Sequence, residues 1–120
     1  MTTALTNSLA AIATPAGSKR DLVSIQDLTP EEIASLFDLA TAMKQSPADF
    51  RGMLAGKQLV LFFEKPSLRT RLTFESAMAS LGGVSFFVDQ TASRLGDREP
   101  LSDIAHNLER WVDGIVLRTF

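Results

Sequence analysis

Three short apolar runs, Gln58–Phe63 (QLVLFF), Val84–Val88 (VSFFV) and Gly114–Leu117 (GIVL), are separated by stretches of helical spacing. That alternation constrains the chain more than anything else in it. Short runs rich in β-branched and aromatic residues, bounded by glycine, read as strands. A strand that is apolar at nearly every position is buried on both faces, as in a parallel sheet covered by helices. Parallel neighbours need long crossovers, and the intervening stretches supply them. Pro66-Ser67 opens one crossover helix, whose stripe is Phe74, Ala77, Met78 and Leu81, and Gly82-Gly83 ends it. Leu101, Ile104, Ala105 and Leu108, then Trp111 and Val112, mark the second. Trp111 and the phenylalanines read most simply as core.

A further helix precedes the first run. Thr29-Pro30-Glu31-Glu32 is a capping box with proline at the first helical position. Ile33, Leu36, Phe37 and Ala40 follow on one face, and the helix should stop before Pro47. Gly52 and Gly56 mark turns. The expected fold class is α/β, a parallel sheet with flanking helices in the order helix, then β-α-β-α-β. Residues 21–120 form the expected domain. Residues 1–20, rich in Ala, Thr and Ser with Pro15 and Gly17, read as a flexible amino-terminal tail. Lys19 and Arg20 follow the apolar stretch of that tail, whereas a signal peptide carries its positive charge first, so the cytoplasm is the expected compartment.

Composition removes several chemistries. The 120 residues include no cysteine, which excludes disulfides, a thiolate nucleophile and Cys-based metal sites. The one histidine, His106, cannot make a multi-histidine metal site and reads as structural or surface. A formal charge of −2 gives no general attraction to nucleic acid or anionic membrane. No apolar run approaches the roughly 18 residues of a membrane span. Charge is uneven, however: residues 51–120 carry 9 basic and 8 acidic side chains, residues 1–50 only 3 and 6. An anion site belongs in the second part.

The informative segment is Phe63-Glu64-Lys65-Pro66-Ser67-Leu68-Arg69-Thr70-Arg71. It joins the carboxyl end of a strand to the start of a helix, where open α/β sheets bind ligands. A helix start leaves backbone amides unpaired and carries partial positive charge. With Ser67 as N-cap, the amides of Leu68, Arg69 and Thr70, two hydroxyls and the Arg69 guanidinium converge on a phosphate-sized anion. Arg118 also follows a strand directly and is the candidate second cation. A basic run at a helix start can equally be a solvated face, although Arg69 and Arg71 there oppose the helix dipole. Neither G-x-x-x-x-G-K-[ST] nor G-x-G-x-x-G is present.

FFEKPSLRTRLTFE resembles the S-x-R-T-R carbamoyl-phosphate motif of the aspartate and ornithine carbamoyltransferases. The resemblance continues through Leu81-Gly82-Gly83, Ser93-Arg94-Leu95-Gly96-Asp97-Arg98-Glu99 and ERWVDGIVLRTF at 109–120. Phe63-Glu64-Lys65 and Gly96-x-Arg98-Glu99 are similar to the ornithine enzymes, and the K-G-E loop typical of the aspartate enzymes is absent. The resemblance implies that Ser67, Leu68, Arg69 and Thr70 hold the phosphate of carbamoyl phosphate, that Arg69 and Thr70 approach the carbamoyl oxygen, and that Arg118 contacts the same ligand. Arg69, Thr70 and Arg118 are thus the candidate catalytic residues. Arg71 and Lys65 support the turn, with Glu75 an i+4 partner for Arg71.

Two positions depart from the family pattern. Leu68 stands where threonine is commonest, which leaves the backbone amide as its contribution. Arg94 stands where the ornithine enzymes often have glutamine, on a loop that in the family reaches a neighbouring subunit's site; it either contacts phosphate or is exposed.

The implied reaction is attack of an amine on the carbamoyl carbon with departure of phosphate, needing neither metal nor cofactor. For ornithine the product is citrulline. Aspartate or another amine, or a phosphate-binding domain without catalysis, remain alternatives. The family's H-P-x-Q segment and its amino-acid-binding domain have no match in residues 1–120. The expectation is therefore an incomplete carbamoyl-phosphate-binding domain, inactive alone, from a homo-oligomer (a trimer in the family) that meets its amino-acid co-substrate through the missing domain.

Overall fold

The computed structural model describes residues 21–90 and 94–120. The expected tail at 1–20 lies outside the described residues, as does Ser93. The chain divides between Asp49 and Phe50 into two units.

In the first unit a 3-10 turn, Ile25–Asp27, precedes helix α1, Pro30–Gln45. The capping box is formed as expected. The Glu32 amide donates to Thr29 Oγ1 at 3.2 Å and the Thr29 amide to Glu32 Oε2 at 2.8 Å. Two of the amides that every helix start leaves orphaned are thereby satisfied. Ser46 closes the helix just before Pro47.

The second unit holds strand β1 (Gln58–Phe63), helix α2 (Leu68–Ser80), strand β2 (Val84–Asp89), helix α3 (Leu101–Trp111) and strand β3 (Gly114–Arg118). The strands form a parallel sheet in the order β2-β1-β3. Val60 lies opposite Phe86 and Ile115, and Phe63 opposite Asp89 and Arg118. The first strand in sequence is thus central, and Val60, Leu61, Phe62 and Phe63 are all buried. Arranged this way, the chain crosses β1 on its way from β2 to β3. Right-handed crossovers in opposite directions put α2 and α3 on opposite faces.

Alternation of side chains then assigns the faces. Leu59, Leu61, Phe63, Phe87, Val116 and Arg118 share one. Contacts place α2 on this face: the Arg71 guanidinium sits 3.8 Å from the centroid of the Phe87 ring, which meets Phe63 edge-on at 5.8 Å. Met78 is the buried residue of α2. Its end lies where a side chain on Gly83 would project, so glycine there lets helix and strand close up.

The expected aromatic core is only partly borne out. Phe50, Phe62 and Phe63 are buried, but Trp111 is 64 % exposed and Phe120 87 %, and Phe37, Phe74 and Phe86 are also open. The buried aromatics belong to β1 or to the segment just before it. The exposed ones sit on helices, on the edge strand β2 or at the chain end, where fewer elements surround them. Helix α3 starts at Leu101 after Pro100 as N-cap residue, with no side-chain cap bond. Among the described residues no helix is long and apolar enough to cross a membrane.

Candidate anion site at the carboxyl edge of the sheet

Strands β1, β2 and β3 all end at one edge, where Arg118 closes β3 and the other sequence-predicted site residues follow β1 or β2. β1 leads through Glu64-Lys65-Pro66 to Ser67, which is extended and caps α2 as expected. The Thr70 amide donates to Ser67 Oγ at 3.4 Å, and Ser67 Oγ donates to Thr70 Oγ1 at 2.9 Å. This corrects one expectation. The Thr70 amide is engaged by the cap, which leaves the first-turn amides of Leu68 and Arg69 as the ones to meet an anion. Leu68 is an exposed apolar side chain at this turn, so its backbone is what it can offer.

The two arginines of the turn separate in role. Arg71 Nε donates to Glu75 Oε1 at 3.0 Å while its guanidinium stacks on Phe87. It locks the first turns of α2 onto β2, the support expected of it. Arg69 has no ion-pair partner among the described residues, and its carbonyl accepts the Thr73 hydroxyl at 2.8 Å. An arginine in the first turn opposes the helix dipole by about 0.3–1 kcal/mol. Folding does not recover that cost through a partner, whereas an anion would. Lys65 lies 5.9 Å from the Phe120 ring centroid, joining the ends of β1 and β3.

Arg118 ends β3 opposite Phe63, and the Glu64 amide donates to its carbonyl at 2.9 Å. Register and alternation put its side chain on the face of the sheet that α2 covers. Its Nε is buried and accepted by nothing: among the described residues it is the one such side-chain atom. An unpaired buried donor costs roughly 1–3 kcal/mol. A charged donor held that way beside an open helix start is arranged for an acceptor from outside the chain.

Arg94 follows β2 and is exposed. Its amide donates to Asp97 Oδ2 at 2.8 Å, closing a tight turn. Next to it the Leu95 amide donates to Gln90 Oε1 at 2.7 Å, and Gln90 is only 5 % exposed. Sequence reading does not single out Gln90. The available signal was a polar residue directly after an apolar strand at the ligand-binding edge. His106 is exposed on α3 and takes no part.

Comparison with known proteins identifies the family of the domain. Residues 20–120 match the family described as aspartate/ornithine carbamoyltransferase, carbamoyl-P binding domain. A catabolic ornithine carbamoyltransferase of Halobacterium salinarum is 46 % identical over 99 residues, which cover 82 % of this chain and 34 % of that protein. The crystal structure of ornithine carbamoyltransferase from Thermus thermophilus superposes with a TM-score of 0.70 at 46 % identity, covering 86 % of this chain and 36 % of that one. The catalytic subunit of M. jannaschii aspartate transcarbamoylase superposes with a TM-score of 0.65 at 34 % identity, covering 82 % of this chain and 33 % of that one. The chain spans about a third of the length of these relatives. With its parallel sheet, capped S-x-R-T-R turn and matching residues from 20 to 120, the chain belongs to the aspartate/ornithine carbamoyltransferase family, in its carbamoyl-phosphate-binding domain.

Proposed function

We propose that this chain is the carbamoyl-phosphate-binding part of an ornithine carbamoyltransferase, which converts carbamoyl phosphate and L-ornithine to L-citrulline and phosphate. The observation that carries the reading is the unpaired, buried Nε of Arg118 on the sheet face where α2 begins. Relatives named ornithine carbamoyltransferase, 46 % and 48 % identical, support the choice of amine.

Ser67, Leu68, Arg69 and Thr70 take the phosphate, Arg118 reaches it from β3, and Arg94 adds a cation from the loop after β2. The neutral amine nitrogen of ornithine forms a bond to the carbamoyl carbon, the bond from that carbon to the phosphate oxygen breaks with its electron pair leaving on phosphate, and the proton the amine loses ends on the departing phosphate. Charge grows on the carbamoyl oxygen and on the departing group. Arg69, Thr70 and Arg118 act as catalytic residues by stabilising that charge, without being consumed. The amino acid itself is held by the part of the enzyme beyond this third, so the 120 residues alone bind carbamoyl phosphate but do not turn it over. The same reading places the enzyme in the cytoplasm, as a homotrimer, in arginine biosynthesis.

Calorimetric titration with carbamoyl phosphate, and with inorganic phosphate as competitor, tests the site. Both should bind, and Arg69→Ala should lose about 1.5–3 kcal/mol of affinity, the range of one charge-assisted hydrogen bond, with no loss of thermal stability. A chain that takes up neither anion, or an Arg69→Ala variant that binds as well as the parent, overturns the reading.

A further inference from the structure

Helix α2 meets the sheet differently at its two ends. Near the carboxyl end Met78, its buried residue, fills the room that Gly83 leaves. Toward the amino end the apolar side chains Leu68, Leu72 and Phe74 are exposed. The contact at that end is a charged one: the Arg71 guanidinium lies 3.8 Å from the centroid of the Phe87 ring on β2. Glu75 Oε1, one turn on, accepts from Arg71 Nε at 3.0 Å and keeps the guanidinium from swinging away. The ring is fixed in turn. Phe63, buried at the end of β1, meets it edge-on at 5.8 Å with the planes 89° apart. Phe63 stands opposite Arg118 in the register of β1 and β3. A row of side chains, Arg71, Phe87, Phe63 and Arg118, thus crosses all three strands on the face that α2 covers.

That row spans the two halves of the anion site. The amides of Leu68 and Arg69 belong to the first turn of α2, and Arg118 belongs to β3, with β1 between them. A phosphate shared by both needs them at a fixed separation, because hydrogen bonds weaken steeply with misalignment. A helix end with few buried apolar contacts opens easily unless something else holds it. We propose that Phe87 is a positioning residue for the anion site: its ring, braced by Phe63, is the seat for Arg71 and so sets where the first turn of α2 stands relative to Arg118. The role rests on the reading of that turn and Arg118 as the phosphate site given above. A ring does this better than an aliphatic side chain, because its negative face attracts the guanidinium and its flatness fixes the stacking plane.

Phe87→Leu keeps an apolar side chain but removes the ring, whereas Phe87→Tyr keeps the ring. The probe is inorganic phosphate, titrated into the folded full chain. Phe87→Leu should bind it about two- to fivefold more weakly, the equivalent of one partly exposed cation–ring contact, and Phe87→Tyr as well as the parent. Arg71→Met should weaken binding at least as much. Adding Phe87→Leu to it should cost nothing further, because no cation remains to be seated. Hydrogen exchange localises the effect. In Phe87→Leu the Arg71 amide, which bonds the Ser67 carbonyl at 3.1 Å, should exchange faster. The Gly83 amide, bonded to the Met78 carbonyl at 2.8 Å, should exchange as before. A phenylalanine that only fills space would lower stability, speed exchange at both amides and leave the affinity of the folded chain intact, and that outcome overturns the proposal. So does a loss as large in the Arg71→Met background as in the parent. Should Phe87→Leu fail to fold, Arg71→Met carries the test: faster exchange at residue 71 with weaker phosphate binding supports the seat, and either value unchanged overturns it. A parent chain that takes up no phosphate ends the functional reading and this proposal together. A parent that binds, with Phe87→Leu binding equally well, ends only the role of Phe87.

Discussion

Where the strands begin, charged side chains find partners; where they end, two arginines among the described residues do not. At the amino edge Lys57 Nζ donates to Asp113 Oδ1 at 2.7 Å and the Gln58 amide to Asp113 Oδ2 at 2.9 Å. The Asp113 amide returns a bond to the Gln58 carbonyl at 2.9 Å. Nearby the Leu81 carbonyl accepts the amides of Gly52 and Leu54 at 3.1 and 2.9 Å. At the carboxyl edge, among the described residues, Arg69 lacks an ion-pair partner and Arg118 Nε lacks an acceptor. Both edges belong to one sheet and differ in what their polar groups are for. The amino edge spends its donors on holding strands in register. The carboxyl edge keeps them for something that the chain itself does not contain.

If the comparison is right, substitutions at the amino edge change stability and leave anion binding alone, and those at the carboxyl edge do the reverse. The largest effect should come from Gly82→Ala. Gly82 has φ +84, and an added Cβ would lie 2.9 Å from the Gly52 Cα, a backbone atom that cannot swing aside. The left-handed conformation costs a residue with a side chain about 1–2 kcal/mol and the overlap about 1–3 more, so urea unfolding should show a loss of about 2–5 kcal/mol. Phosphate affinity of the chain that remains folded should not change. Weakened binding at equal folded fraction would break the separation.

Arg118→Met should do the opposite at the other edge. It removes an unpaired buried donor, so the midpoint of unfolding should hold or rise. Phosphate affinity should drop by about 1.5–3 kcal/mol in a calorimetric titration. A variant that unfolds more easily yet binds phosphate normally would make Arg118 a structural residue and erase the contrast.

The smallest effect sharpens the amino edge. Hydrogen bonding from Lys57, then from the Gln58 amide, holds the Asp113 carboxyl below its ordinary value of 3.8. The unfolded chain therefore takes up this proton first as pH falls. The contribution of Asp113 is fully present above its ordinary value and is lost as pH drops through the lower, folded one. Asp113→Asn should be slightly less stable than the parent at neutral pH, and the gap should close in acid. Because the pair is exposed, added salt should narrow it too. A gap that persists in acid would assign the effect to something other than the charge.

Much of this was legible before the coordinates. QLVLFF and VSFFV announce their strands because β-branched and aromatic residues crowd a pleat more favourably than a helix. Thr29 and Ser67 announce their helix starts because a short oxygen-bearing side chain satisfies an orphaned amide. Arg71 with Glu75 follows from helical spacing alone. What stayed hidden depends on neighbours distant in sequence. Trp111 looked like core because it is large and apolar, yet burial is decided by what surrounds a residue. The motif resemblance picked out Arg118, but no motif shows that its Nε is buried and unpaired. Nothing in the sequence marks Gln90 as buried, because a polar side chain after a strand ordinarily meets water.

The order β2-β1-β3 has one more consequence, for synthesis. β1, the most apolar strand, is translated first, and its two partners are translated later. Val60 and Phe62 leave the ribosome well before Phe86 and Val88, and before Ile115 and Leu117. Loop closure of that length is slow compared with local helix formation. In the interval QLVLFF has both edges open to any other chain nearby, the condition under which nascent β-rich segments associate wrongly. Chaperone occupancy during translation should therefore peak after residue 63 emerges and fall once β3 is out, so that the strand holding this site together is also its greatest hazard at birth.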